Sequence, residues 1–206
     1  MSYCNWSRGD ALMEEYHDKE WGVPLWEDGK QFEFLMLEAL QCGLSWMLML
    51  KKREIFRECF DGFDYRKVAG YTEEDVERIL NTPGMLRSVP KIKAVIGNAG
   101  CFEQIVEEYG SFCKYLWRYT DGKTVLYQGH EDGYIPVSNR LSEEIAKDLK
   151  KRGFKYLGSI TVYSHLQACG MINDHGKNCP CYGKINNRFP TVSLPPDGER
   201  GTMHFE

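Results

Sequence analysis

The sequence has no apolar run long enough to cross a bilayer, the longest, such as residues 46–50, falling far short of a membrane span. Its first ten residues lack the charged and apolar blocks of a secretory signal, so a cytoplasmic protein is expected. Positive charge is scarce as well. The 26 Lys and Arg against 30 Asp and Glu leave a net charge of −4, which excludes a protein that coats nucleic acid through bulk charge. Proline is sparse too, with 8 residues, and a hydrophobic content of 42% excludes disordered and collagen-like chains. At 206 residues, one domain of one or two lobes is the expectation.

What positive charge there is comes in clusters: Lys51, Lys52 and Arg53; Arg87, Lys91 and Lys93; and Lys147, Lys150, Lys151, Arg152 and Lys155. Any one of them reads as a solvated helix face, and together they keep a local nucleic-acid surface in play. In the absence of a secretory signal, the 8 cysteines read as thiols or metal ligands rather than disulfides. Cys42, Cys59, Cys101 and Cys113 stand singly among apolar or helix-forming residues, as core thiols do.

Periodicity predicts a mostly helical chain. Residues 31–40 are apolar nearly all round, the pattern of a helix enclosed by protein, and Gly43 ends it. Ser45 caps a second helix through Met47, Leu50, Ile55 and Phe56. Thr72 with Glu73, Glu74 and Asp75 opens another, which stops at Pro83-Gly84. Pro90 then pre-sets a helix with Ile92, Val95, Ile96 and Ala99 on one face, giving a helix, tight hairpin, helix unit. Further helices are predicted over 102–109, 111–118, 142–151 and 159–169. Residues 121–134 read as a Gly- and Asp-rich loop with some β-formers, and residues 186–206 as a loosely held tail after a domain spanning 1–185.

Four features could carry chemistry. Glu38 sits among Phe34, Leu35, Met36, Leu37, Ala39 and Leu40 with no cation at helical spacing, so it lies either on the one solvated edge or buried against a compensating ligand. Trp6, Tyr16, Trp21 and Trp46 crowd the first quarter of the chain. Rings beside an unpaired carboxylate suit a flat, cationic ligand such as a methylated purine and repel an anionic metabolite. Cys4 and His17 near one end, with His175 and either Cys179 or Cys181 near the other, match the soft donors of a structural zinc site, and spacing does not choose between the last two. The hairpin around Gly84 can offer backbone N–H groups to a phosphate beside Arg87, Lys91 and Lys93.

The motifs Cys4-x-Trp6, Tyr16-His17-Asp18-x-Glu20-Trp21-Gly22-Val23-Pro24, Leu37-Glu38 with Gly43-Leu44-Ser45-Trp46, Lys51-Lys52-Arg53-Glu54, Lys151-Arg152-Gly153-Phe154-Lys155 and Gln167-Ala168-Cys169-Gly170 with Asn173-Asp174-His175 resemble those of the 3-methyladenine DNA glycosylase I family of base-excision repair. The resemblance spans residues 4–182. It implies an all-α, helix-hairpin-helix DNA glycosylase fold of two lobes, with a zinc site tying the N- and C-terminal segments. It implies Zn2+ held by Cys4, His17, His175 and Cys179; a flipped base stacked on Trp46 and Tyr16; and Glu38 at the base's polar edge, as the residue on which catalysis depends. Trp6 and Trp21 would complete the aromatic wall. Gly43 and Leu44 would lie at the gap in the DNA, and Gly84, Arg87 and Lys91 would meet its phosphates. The implied partner of this monomer is alkylated double-stranded DNA, and the implied reaction is hydrolysis of the N-glycosidic bond of 3-methyladenine to leave an abasic site, without a lysine nucleophile.

Some positions depart from the family's pattern. Met13 stands where some members carry a tyrosine, and Ala39, Leu40 and Cys42 replace small or polar residues between Glu38 and Gly43. Two other readings remain at this point: a zinc-stabilised DNA-binding module without catalysis, and a bifunctional glycosylase and lyase acting through Lys91 or Lys93.

Overall fold

A computed structural model describes residues 4–196. Ten α-helices account for most of these residues: α1 (Ala11–Lys19), α2 (Asp28–Gln41), α3 (Trp46–Cys59), α4 (Tyr65–Ala69), α5 (Glu73–Asn81), α6 (Val89–Tyr109), α7 (Phe112–Trp117), α8 (Arg140–Lys151), α9 (Ser159–Ala168) and α10 (Pro180–Arg188). Helix α2 is the axle. Every residue from Gln31 to Leu40 is buried, as its all-round apolar pattern requires, and α3, α6, α7 and α9 pack around it. Phe32 meets Phe102 edge-on at 5.2 Å between ring centroids, and Phe102 stacks on Phe112 at 4.1 Å. Burying each such ring contributes about 1.5–3 kcal/mol.

Local signals set the ends of the helices. The Ser45 hydroxyl accepts from Leu48 N at 3.3 Å to start α3. Thr72 and Asp75 form a reciprocal capping box at α5. The helix that begins beside Pro90 and the one expected over 102–109 are a single element, α6, because no breaker intervenes before Gly110, which ends it in the left-handed region at φ 78°.

The chain is mostly helical, as expected, with one short sheet added, and the start of the expected loose tail lies in regular elements. Residues 186–188 complete α10, and strand β2 (Thr191–Leu194) pairs in parallel with β1 (Thr124–Tyr127), with Thr124 opposite Thr191 and Tyr127 opposite Leu194. Thr191 and Val192 are β-formers with few neighbouring apolar anchors, so nothing local announces a partner so far away in the chain. The rest of the expected tail, residues 197–206, lies outside the described residues.

Candidate functional site

A cavity of about 330 Å³ opens where α1, α2, α3 and α9 converge, and it brings together Trp6, Tyr16, Trp21, Glu38 and Trp46. Asp10 caps α1 by accepting from Leu12 N at 2.9 Å, which starts a helix with Met13 and Tyr16 on one face. Tyr16 and Trp46 lie 5.3 Å apart between ring centroids at 49°, and Trp6 meets Trp21 at 5.0 Å and 76°. Met13 lines the same cavity with a thioether.

Glu38 is the buried alternative of the two left open by its sequence pattern. Its residue is 4% exposed, and the surrounding protein offers its carboxyl no counter-charge. Desolvation alone pushes its pKa up to about 8. Burial also holds the Tyr16 phenol well above its ordinary range. Burial therefore favours the neutral carboxyl of Glu38 around neutral pH, and an entering cation would draw it into its ionised form.

Sequence reasoning missed Gln41, Ile135, Ser164, Gln167 and Asp174, which also line the cavity. Gln41 lies one helical turn beyond Glu38, and Ser164 and Gln167 share a face of α9, so period alone could have found them once the cavity was placed. Asp174 is fully enclosed by donors: the Tyr163 hydroxyl and Gln167 Nε2 each reach Oδ2 at 2.7 Å, and His130 Nδ1 lies 2.7 Å from Oδ1. Because a carboxylate only accepts, this arrangement fixes the Gln167 amide nitrogen toward Asp174. Ile135 comes from an irregular loop and carried no local signal.

Next to the cavity, Cys4, His17, His175 and Cys179 are all buried and present donor atoms within 4.8 Å of one another. Cys179 Sγ lies 3.6 Å from His17 Nε2 and 3.6 Å from His175 Nδ1, and Cys4 Sγ lies 3.8 Å from His175 Nδ1. A zinc tetrahedron with Zn–S near 2.3 Å and Zn–N near 2.0–2.1 Å has S···N edges of about 3.6 Å, so the donor set fits that ion. The outer imidazole nitrogens are occupied: His17 Nδ1 pairs with Asp18 Oδ1 at 2.7 Å, and His175 Nε2 meets the Trp21 carbonyl at 3.1 Å. Those contacts leave His17 Nε2 and His175 Nδ1 as the imidazole atoms that could face an ion. Burial lowers His175 to about 4, keeping it neutral, and pushes the Cys4 thiol up to about 11, so a dication would supply the charge that lets the thiols ionise. Cys181 falls instead beside His17 and Asp18, outside the four-donor group. A Cβ on Gly22 would come within 2.9 Å of His175 Nε2, so glycine is required for this approach.

The residues expected at DNA are divided by the structure. Gly43, at φ 80°, and Leu44, 36% exposed, form the outer turn between α2 and α3. Gly84 and Arg87 are exposed at the turn joining α5 to α6. Lys91 does not project into solvent as a phosphate contact would: its ammonium donates to the carbonyls of Leu40 at 2.7 Å and Cys42 at 2.6 Å. Of the first basic cluster, Lys52 donates to the Gly84 carbonyl. Arg53 is buried between Glu33, at 2.6 Å, and Glu20, at 2.8 and 2.7 Å. Arg152 pairs with Glu108 and Asp148, while Lys147, Lys150, Lys151 and Lys155 remain exposed.

A family model described as methyladenine glycosylase matches residues 6–182. The chain belongs to this family. It is 44% identical over 182 residues to DNA-3-methyladenine glycosylase 1 of Escherichia coli (strain K12), covering 88% of this chain and 97% of that protein. It is 35% identical to the DNA-3-methyladenine glycosylase of Haemophilus influenzae, covering 86% of this chain and 96% of the relative. A solved structure of 3-methyladenine DNA glycosylase I from Staphylococcus aureus, determined to show how that protein recognises 3-methyladenine, matches with a TM-score of 0.82 at 37% identity, covering 86% of this chain and 95% of that one. Family membership gives the cavity its context: the aromatic wall and Glu38 fall within the matched segment, as do His17, His175 and Cys179 of the donor cluster, with Cys4 two residues before it.

Proposed function

We infer that this protein is a DNA repair glycosylase that releases 3-methyladenine from alkylated duplex DNA. The observation that carries the reading is Glu38, a buried carboxyl without a cationic partner facing a cavity walled by Tyr16, Trp46, Trp6 and Trp21. Methylation at N3 makes adenine cationic and weakens its bond to deoxyribose, so recognition supplies much of the catalysis. The extruded base stacks on the wall formed by Trp46 and Tyr16, and Glu38, ionised by the incoming charge, accepts hydrogen bonds from its polar edge. The C1′–N9 bond breaks with its electron pair leaving on the base, water adds to C1′, and one proton is released to solvent. The products are neutral 3-methyladenine and an abasic site.

Zinc is the metal that the cluster of Cys4, His17, His175 and Cys179 would hold, and its role would be structural, closing the two ends of the chain on each other. Each of three ligands adjoins the cavity wall in sequence or space: Cys4 near Trp6, His17 after Tyr16, and His175 after Asp174 and hydrogen-bonded to the Trp21 carbonyl. Rigidity at the metal would therefore become rigidity of the aromatic wall. The same reading takes α5, the Gly84 turn and α6 as a helix-hairpin-helix unit facing the phosphates with Arg87, in a monomer of two helical lobes. It places this monomer in the cytoplasm. No helix among the described residues is long and apolar enough to cross a membrane.

A lyase through lysine is disfavoured, because the Lys91 amine is engaged by two carbonyls and Lys93 pairs with Glu73 at 2.6 Å. The test is chromatography of bases released from methylated DNA, with Glu38→Gln alongside. Release of 3-methyladenine that falls sharply in the variant is expected. Folded wild-type protein that releases no base would overturn the assignment in favour of a binding module.

A further inference from the structure

Leu44 is an exposed apolar residue at the tip of a turn whose two flanking helices both line the cavity, α2 through Glu38 and Gln41 and α3 through Trp46. The turn is held from outside by Lys91, which stands in the first turn of α6. Its ammonium spans the carbonyls of Leu40 and Cys42, where α2 ends and the chain swings at Cys42 (φ −41°, ψ 112°) into the left-handed Gly43. Carbonyls at a helix C-terminus lack intrahelical partners and carry partial negative charge, so a partly desolvated ammonium is a strong tie there. A second amine closes the circuit, since Lys52 on α3 donates to the Gly84 carbonyl just before α6. Lys91 thus ties the start of the Leu44 turn to α6, and Lys52 ties α3 to the Gly84 turn, although in sequence both lysines sit in clusters that read as basic surface.

We propose that Lys91 is a positioning residue for base extrusion, holding the Gly43–Leu44 turn in place to fill the space that the flipped nucleotide vacates. The inference rests on the glycosylase reading of the cavity. A braced turn enters the base stack without first having to be ordered, and the binding free energy of Leu44 then goes into keeping the base extruded. The benefit arises only when the lesion must leave a paired, stacked duplex. It is absent when the lesion faces no partner base, and it does not touch the cavity itself.

The test compares methylated oligonucleotides annealed either to a full complement or to a strand with abasic-analogue sites opposite the adenines. Lys91→Met should lower kcat about tenfold on the paired duplex and change it by no more than about twofold on the unpaired one. Quenching of tryptophan fluorescence by free 3-methyladenine should be unchanged, and Lys91→Arg should recover most of the activity. Equal losses on both substrates would overturn the proposal, as would unchanged kcat. A rise in KM with a shallower salt dependence would overturn it in favour of a phosphate contact. If Lys91→Met does not fold, Lys91→Gln, which keeps an N–H donor group, carries the same comparison. Wild-type protein inactive on both substrates would instead refute the glycosylase reading, which separates the two failures.

Discussion

Replacing Glu38 by Gln should make the protein more stable while it loses activity. The side chain keeps its size and polarity, and only the ionisable group is removed. In the folded protein burial lifts the Glu38 pKa from 4.5 to about 8, so the folded state holds a proton more tightly than the unfolded state does. The contribution of this group to stability is fully present below about pH 4.5 and is lost as pH rises to about 8. A tenfold change in proton affinity corresponds to about 1.4 kcal/mol, so at pH 7 the wild type gives up about 3 kcal/mol relative to a side chain that never ionises, and above pH 8 about 5 kcal/mol. For a chain of this size, about 3 kcal/mol is a rise in Tm of about 6–12 °C. The assay is thermal melting of both proteins from about pH 4.5 to 9, with base release measured on the same samples. The gap in Tm should open with pH and level off near pH 8. Parallel pH profiles, or a variant less stable at every pH, would refute the reading that Glu38 is buried without compensation.

Other side chains give independent tests. His165 is fully buried in α9 with neither ring nitrogen bonded, and desolvation lowers its pKa to about 3. Its unfolded form therefore binds more protons between about pH 3 and 6.5, so the wild type should lose about 2 kcal/mol to this group by about pH 5. His165→Phe should remove that acid sensitivity in urea melts, and an unaltered acid limb would count against the orphaned imidazole. Cys4→Ser, or removal of metal by a strong chelator, should lower both zinc content and Tm, because binding free energy at a structural zinc is folding free energy; a metal-free protein of undiminished stability would refute that role. Arg53→Met leaves the buried Glu33 with only Arg57 and Lys30 as cationic partners and frees Glu20, and should cost about 3 kcal/mol in urea denaturation. A cost below about 1 kcal/mol would place the pair with ordinary surface bridges.

Helices were legible where local chemistry is sufficient. Ser45, the Thr72–Asp75 box and the all-round apolar run at 31–40 each encode their element within a few residues, and α3, α5 and α2 follow. The β1–β2 pair was illegible because its hydrogen bonds join residues 124–127 to 191–194, and each segment is only four residues long, too short for its pattern to announce a partner so far away in the chain. Cationic residues were the least legible, because one formal charge serves opposite ends: Arg53 is buried in an ion-pair network, Lys91 caps a helix C-terminus, and Lys51 is exposed.

The sequence by itself determined the helical periods, the aromatic residues and the Glu38 carboxyl of the cavity, and the soft donors at the two ends, since these follow from residue type and spacing. Only the tertiary structure decided that Glu38 is the buried alternative, because desolvation depends on everything packed around it. It also chose Cys179 over Cys181 for the donor cluster, and it turned Lys91 inward onto the Leu40 and Cys42 carbonyls. These outcomes depend on distances of a few ångströms between segments far apart in the chain, and such distances are fixed only when the core closes.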